Sequence, residues 1–86
     1  MSTARSHTTA QVVRNPQILD GEPTLAGTRV PVRAIVVAAR YYPTVARICR
    51  AYPMLTPEAV RAALAFYAAN RDEIDRYIAE NEVDLD

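Results

Sequence analysis

The chain has 86 residues and a mass of 9.5 kDa, half of the residues are apolar, 23% are charged, and the formal net charge is zero. These numbers describe one small domain with little room for a second core, which excludes a two-domain enzyme. Fifteen residues are alanine and tryptophan is absent, so each helix buries modest area and assembly as a homodimer is expected.

Residues 1–11 are small and polar, with one arginine and no apolar stretch, and read as a disordered arm, not a secretory signal. Gln11 to Arg14 and Gln17 to Leu19 are short β-capable pieces interrupted by Asn15-Pro16, and Asp20-Gly21-Glu22-Pro23 is a turn signal. Thr24-Leu25, Ala26-Gly27 and Thr28-Arg29-Val30 continue as extended segments, with glycine where positive φ is expected. This front reads as a small β-hairpin region. Strands so short cannot stand alone in water and must pack on helices or pair with a second copy.

From Val32 the apolar period changes. Ile35, Ala38, Ala39 and Tyr42 share one helical stripe, Pro31 suits a helix start, and the helix is expected to end near Tyr42-Pro43. Thr44 can cap a second, short helix through Cys49 to Ala51, with Val45, Ile48 and Tyr52 inward and Arg47 and Arg50 outward. Thr56-Pro57-Glu58 is an N-cap, a proline in the first turn and an acid favourable to the helix dipole, opening a third helix. Val60, Ala63, Leu64 and Tyr67 form its inward stripe; Glu58, Arg61, Ala62 and Ala65 look outward. Asn70-Arg71-Asp72-Glu73 can cap a fourth helix carrying Ile74, Tyr77 and Ile78. A heptad-like series, Val60, Ala63, Tyr67, Asn70, Ile74 and Tyr77, would also suit one unbroken helix; a break at Asn70 is favoured. Glu80 to Asp86 is an acidic tail with Val83 and Leu85 as possible anchors.

The zero net charge hides a division. All ten basic residues are arginine; residues 1–61 hold eight of them against three acids, and residues 62–86 hold Arg71 and Arg76 against seven acids. A basic front suits phosphate and an acidic end suits a basic surface, or covers the protein's own front; acidic tails also serve solubility alone. The wholly apolar runs 34–39 and 62–69 fall far short of the roughly 20 residues of a membrane span. A single cysteine, Cys49, matches no disulfide or zinc spacing and indicates a reduced, cytoplasmic setting.

Catalysis has little to work with. The only histidine, His7, lies in the arm, Cys49 has no base near it in sequence, and the glycine-rich phosphate motifs are absent. Asp72, Glu73 and Asp75 read as a solvated helix face, so no enzyme, metal or cofactor is expected. The stronger constellation is two short helices joined across Tyr52-Pro53-Met54-Leu55, the outline of a helix-turn-helix. In such a unit Arg61 would reach base edges or phosphates, while Arg33, Arg40, Arg47 and Arg50 would grip the DNA backbone. The same outline also serves as plain packing, and an alanine-lined recognition helix offers few base-reading side chains.

The stretch Gly21-Glu22-Pro23 through Gly27-Thr28-Arg29-Val30-Pro31-Val32, then Tyr52-Pro53-Met54-Leu55-Thr56-Pro57-Glu58 and Ala62-Ala63-Leu64-Ala65-Phe66-Tyr67, resembles the DUF433 family of small prokaryotic proteins over residues 12–79. The resemblance implies a mainly α, homeodomain-like or winged helix-turn-helix bundle of four helices with a short N-terminal β-hairpin. It also implies an antitoxin of the VapB kind, binding operator DNA with its front and covering a PIN-like ribonuclease toxin with its C-terminal part. Such a toxin has an acidic active site, into which Arg71 or Arg76 would reach, with Tyr77, Val83 and Leu85 completing the toxin contact. The alternatives are a stand-alone DNA-binding regulator and a protein-interaction module without DNA affinity. Arg29 could face DNA or buttress Glu22.

Overall fold

The computed structural model describes residues 11–84, with side chains of residues 11–82. Two short strands, β1 (Val12–Val13) and β2 (Thr24–Leu25), pair antiparallel with Val12 opposite Leu25 and Val13 opposite Thr24. Four helices follow: α1 (Val32–Ala39), α2 (Val45–Ala51), α3 (Pro57–Ala69) and α4 (Arg71–Asp84). The fold is mainly α with an N-terminal two-stranded hairpin, as the sequence indicates.

β2 is held on both sides. The Ala26 amide donates to the Gln11 carbonyl (2.9 Å) on one flank, and the Leu25 and Val32 amides donate to Val30 (2.8 Å) and Pro23 (2.9 Å) on the other. The reversal between them needs Gly27, at φ +77. Thr28 locks it, its hydroxyl donating to the Leu25 carbonyl (2.8 Å) and accepting from the Val30 amide (3.0 Å). Gln17 to Leu19, read as β-capable, is instead the approach to a 3-10 turn (Leu19–Gly21). There Leu19, Asp20 and Gly21 all have positive φ (51°, 55° and 87°). Glycine and aspartate tolerate that conformation; leucine does not, at a cost of about 1–2 kcal/mol.

α1 is the centre of the bundle and packs on α2, α3 and α4. Its buried side chains are Val32, Ile35, Val36 and Ala38, joined by Leu25, Ile48, Leu55, Ala59, Val60, Ala63, Ile74 and Ile78. The helix ends at Ala39, short of the expected Tyr42. The Arg40 amide bonds back three residues to Val37 (3.0 Å), which tightens the last turn, and Pro43 disfavours helical geometry at the residue before it. Ala39 and Tyr42 therefore leave the apolar stripe, and Tyr41 is 76% exposed.

α3 and α4 are separate helices. Asn70 between them has φ −138 and ψ 43, its amide donates to Tyr67 (3.0 Å), and its side chain Nδ2 donates to the Phe66 carbonyl (2.9 Å). The acidic segment from Glu80 continues α4 through Asp84 and is helical. Residues 1–10 of the expected arm, with His7, and Leu85 and Asp86 lie outside the described residues.

One ion pair ties the hairpin to α1. Arg33 Nε lies 2.6 Å from Glu22 Oε2, with Glu22 only 6% exposed. The N–H is not aimed along that contact, so the attraction is ionic and neither atom has a directed hydrogen-bond partner. Burial pushes the Glu22 carboxyl up from its ordinary value, and the Arg33 charge pulls against that push. Removing Arg33 alone strands a buried carboxylate, and Arg33→Met is expected to cost roughly 3 kcal/mol at neutral pH. Its folded-state carboxyl rises further above the unfolded value near 4.3, so this variant should gain stability as pH falls from 7 through that raised value. Urea melts check both points: Glu22→Leu/Arg33→Met should lose less than Arg33→Met, and a pH-independent deficit would contradict the account.

Candidate functional site

Two threonine caps set up the α2–α3 unit. The Arg47 amide donates to Thr44 Oγ1 and the Ala59 amide to Thr56 Oγ1, each at 3.1 Å, satisfying backbone donors that helix starts leave open. The connection is closed by a Leu55 amide bond to Tyr52 (2.9 Å), and Leu55, 7% exposed, drives the turn into the core. Beside it Ile48 is buried, and α2 packs directly on α3. Cys49, Val45 and Tyr52 are partly buried against the same cluster.

The outward side chains of this unit are basic. Arg47 and Arg50, three residues apart on α2, and Arg61 on α3 are exposed, and no carboxylate among the described residues comes within 4 Å of them. The outward face of α3 otherwise holds Glu58, Ala65, Ala68 and Ala69, with Ala62 partly covered.

Two of the five arginines expected to meet DNA are placed differently. Arg33 is turned toward Glu22 and 21% of its side chain is exposed, so it serves the fold rather than joining Arg47 and Arg50; Arg29, exposed at the hairpin turn, is not the buttress of Glu22. Sequence separation hides this partner, because only the hairpin's return onto α1 brings Glu22 to Arg33. Arg40, half exposed, has Nη1 3.6 Å from Glu82 Oε2 and thus ties α1 to α4 loosely.

On α4, Arg71 and Arg76 are exposed and each lies over an aromatic ring, Arg71 at 5.2 Å from the Tyr67 centroid and Arg76 at 5.5 Å from the Tyr77 centroid. Tyr77 is partly buried, and its hydroxyl donates to Glu73 Oε2 at 3.3 Å. The Val83 side chain and Leu85 lie outside the described residues.

Two features have no counterpart in the sequence reading. Arg14 makes a bidentate contact with Glu73, Nη1 to Oε2 at 2.6 Å and Nη2 to Oε1 at 2.9 Å, while its guanidinium stacks 5.5 Å above Phe66. Strand β1 is thereby fastened to α4 across 59 residues of sequence. The second is an open groove of about 770 Å³ between α1, the end of α2 and the end of α4, lined by Val37, Tyr41, Tyr42, Tyr52, Ile78 and Glu82 among others. Its signal in the sequence is the Tyr41-Tyr42 pair, of which Tyr42 leaves the expected apolar stripe because α1 ends early. Among the described residues no three His, Cys, Asp or Glu side chains gather as metal ligands, and no helix is long and apolar enough to cross a membrane.

The sequence model of the family described as protein of unknown function (DUF433) matches residues 12–67, which span both strands, α1, α2 and α3 up to Tyr67. The crystal structure of a DUF433 member protein from Anabaena variabilis is similar with a TM-score of 0.76, at 27% sequence identity, over 90% of this chain and 76% of that one. A Sinorhizobium fredii protein described as uncharacterized protein y4eO is 37% identical over 59 residues. That match takes in 69% of this chain but 27% of the relative, so the chain corresponds to about a quarter of that protein's length.

The Arg14 clamp has a pH signature. The hydrogen bonds from Arg14 hold the Glu73 carboxyl below its ordinary value, so the stability they contribute is present above the unfolded value near 4.3 and is lost as pH falls through the lower folded value. Because Arg14 is about half exposed, Arg14→Ala is expected to cost about 1 kcal/mol or less at neutral pH, with the difference from the parent vanishing in acid. Thermal melts across that range check it; a gap that persists at the acid end would assign the loss to the Phe66 stacking instead.

Proposed function

This chain belongs to the DUF433 family, and on that premise we propose that it is a DNA-binding antitoxin whose α2–α3 unit grips operator DNA and whose α4 covers a PIN-like ribonuclease toxin. The observation that carries the DNA half is the sorting of the arginines. Arg14, Arg33 and Arg40 are engaged by carboxylates of the same chain, whereas Arg47, Arg50 and Arg61, on the two helices of the helix-turn-helix, are left to meet phosphate. With α3 presenting alanine, affinity comes from backbone contacts and shape more than from base edges. The protein acts in the cytoplasm as a homodimer, the form suited to a two-fold operator.

The toxin half rests on α4, all of which lies past the family match. It presents Arg71 and Arg76 on exposed positions among Asp72, Asp75 and Glu80. A guanidinium entering a carboxylate-lined nuclease site would pair there bidentately and exclude the metal, while the surrounding acids meet a basic rim. A second reading, a protein-interaction module without DNA affinity, is favoured by Glu58 in the first turn of α3, where a reading helix would approach the negatively charged duplex.

Binding to the DNA upstream of the gene, followed against salt concentration, tests the first half. Affinity should fall steeply with salt, and Arg47→Ala, Arg50→Ala or Arg61→Ala should each lower the logarithmic slope by about 0.9 for every phosphate that the variant no longer neutralises. Absent or salt-independent binding would favour the interaction module. For the second half, each neighbouring reading frame is expressed in a host with and without this protein. Rescue of growth from one neighbour is expected, with rescue abolished in Arg71→Ala/Arg76→Ala; full rescue by that double variant would remove the arginine-insertion mechanism.

A further inference from the structure

The junction between α3 and α4 is broken without a helix breaker. Ala68-Ala69-Asn70-Arg71-Asp72 contains neither glycine nor proline, and asparagine disfavours a helix interior by only about 0.7 kcal/mol relative to alanine. Two local features hold the bend: the Tyr67 hydroxyl donates to Asp75 Oδ1 across it (2.9 Å), and Asn70 forms the corner. Asn70 alone leaves helical geometry, its Nδ2 caps the Phe66 carbonyl, and its own carbonyl accepts from the Ile74 amide (3.1 Å) to start α4.

Beyond that bend, α4 is attached more to the rest of the chain than to α3. Ile74 and Ile78 are buried at 0% and 4% exposure, α4 leans chiefly on α1, and Arg14–Glu73 and Arg40–Glu82 fasten it at two levels. Moreover, the heptad-like series Val60, Ala63, Tyr67, Asn70, Ile74, Tyr77, apolar or aromatic except at Asn70, keeps its spacing straight through the bend. If Asn70 turned helical, α3 and α4 would merge into one helix covering residues 57–84, about 42 Å long. Ile74 and Ile78 would then project past the chain's own core and need the same seat elsewhere.

We propose that α4 exchanges between two copies of this chain by straightening at Asn70, giving a domain-swapped dimer in which each α4 occupies the α1 seat of the other copy. The exchange preserves Ile74, Ile78 and both ion pairs, since the partner supplies the same residues. It replaces the Asn70 side-chain cap with continuous helical hydrogen bonds. The balance between the two forms is therefore set by the conformation at Asn70, by whether Tyr67 bonds Asp75 of its own chain or of the partner, and by protein concentration. This gives the homodimer of the proposed function a specific architecture and rests on that dimerisation, not on DNA binding.

The test uses the full chain and two charge reversals. Arg14→Glu alone and Glu73→Arg alone each set like charges against one another, within one chain or between identical copies. In a swapped heterodimer of the two variants, however, the introduced glutamate of one copy meets the introduced arginine of the other. The native Arg14 and Glu73 that remain also meet, so both contacts are restored. Mixing the variants, unfolding and refolding them together should raise the melting temperature above that of either variant refolded alone, with a mass of two chains by light scattering. Asn70→Ala, which removes the cap and favours helix, should shift the parent protein toward dimer, and Asn70→Gly should shift it toward monomer. A mixed sample that melts like its separate components while light scattering shows dimer would overturn the exchange and leave a conventional dimer in place. A parent protein and Asn70→Ala that stay monomeric at every concentration would overturn the exchange and the dimer together.

Discussion

The other three helices of this small protein all lean on the buried face of α1. A chain so rich in alanine has few large apolar side chains, and among the described residues four of the twelve buried apolar ones, Val32, Ile35, Val36 and Ala38, sit on the eight positions of α1. Around them α3 contributes Ala59, Val60 and Ala63, α4 contributes Ile74 and Ile78, and β2 contributes Leu25. Small side chains let helix axes approach closely, but the area each contact removes from water is small too. Polar fastenings therefore carry more of the tertiary arrangement than they would in a larger core. Glu22–Arg33 fixes the hairpin, Arg14–Glu73 fixes α4 to the first strand, and Arg40–Glu82 steadies its far end.

These three pairs also explain what the divided charge of the sequence becomes in three dimensions. The acidic end of the chain lies along part of the basic front, and Glu73 and Glu82 each take up one front arginine. What is left outward on α2 and α3, Arg47, Arg50 and Arg61, is a smaller basic set than the composition suggests. The proposed division of labour follows from this sorting, with phosphate met by the arginines of α2 and α3 and a protein partner met by α4.

Much of this is legible in the sequence. Thr44 and Thr56-Pro57 announce helix starts through local chemistry, and both threonines make the backbone bonds expected of them. Ile48, Val60, Ala63 and Ile74 are marked as inward by period alone. What stays hidden depends on contacts distant in sequence. Nothing local says that Glu22 meets Arg33 or that Arg14 reaches Glu73, so Arg33 reads as free until the hairpin folds back. The end of α1 is misleading because Ala39 and Tyr42 fit the apolar period, while the tightened turn before Pro43 removes them from it. The bend at Asn70 stands between two readings because both arrangements satisfy the apolar pattern, and the bonds that hold it, Asn70 to Phe66 and Tyr67 to Asp75, are invisible to that pattern.

The left-handed turn at Leu19–Gly21 bears on how the molecule breathes. Its amides are held only by local bonds, Gly21 to Ile18 (3.1 Å) and Glu22 to Leu19 (3.0 Å), and Leu19 is 43% exposed. A residue kept in an unfavourable backbone region lowers the free energy needed to open its segment. The amide protons of Gly21 and Glu22 should thus trade with solvent well before those of α1. Glu22 follows this turn directly, so the carboxylate of the Arg33 ion pair is carried at the end of a strained segment.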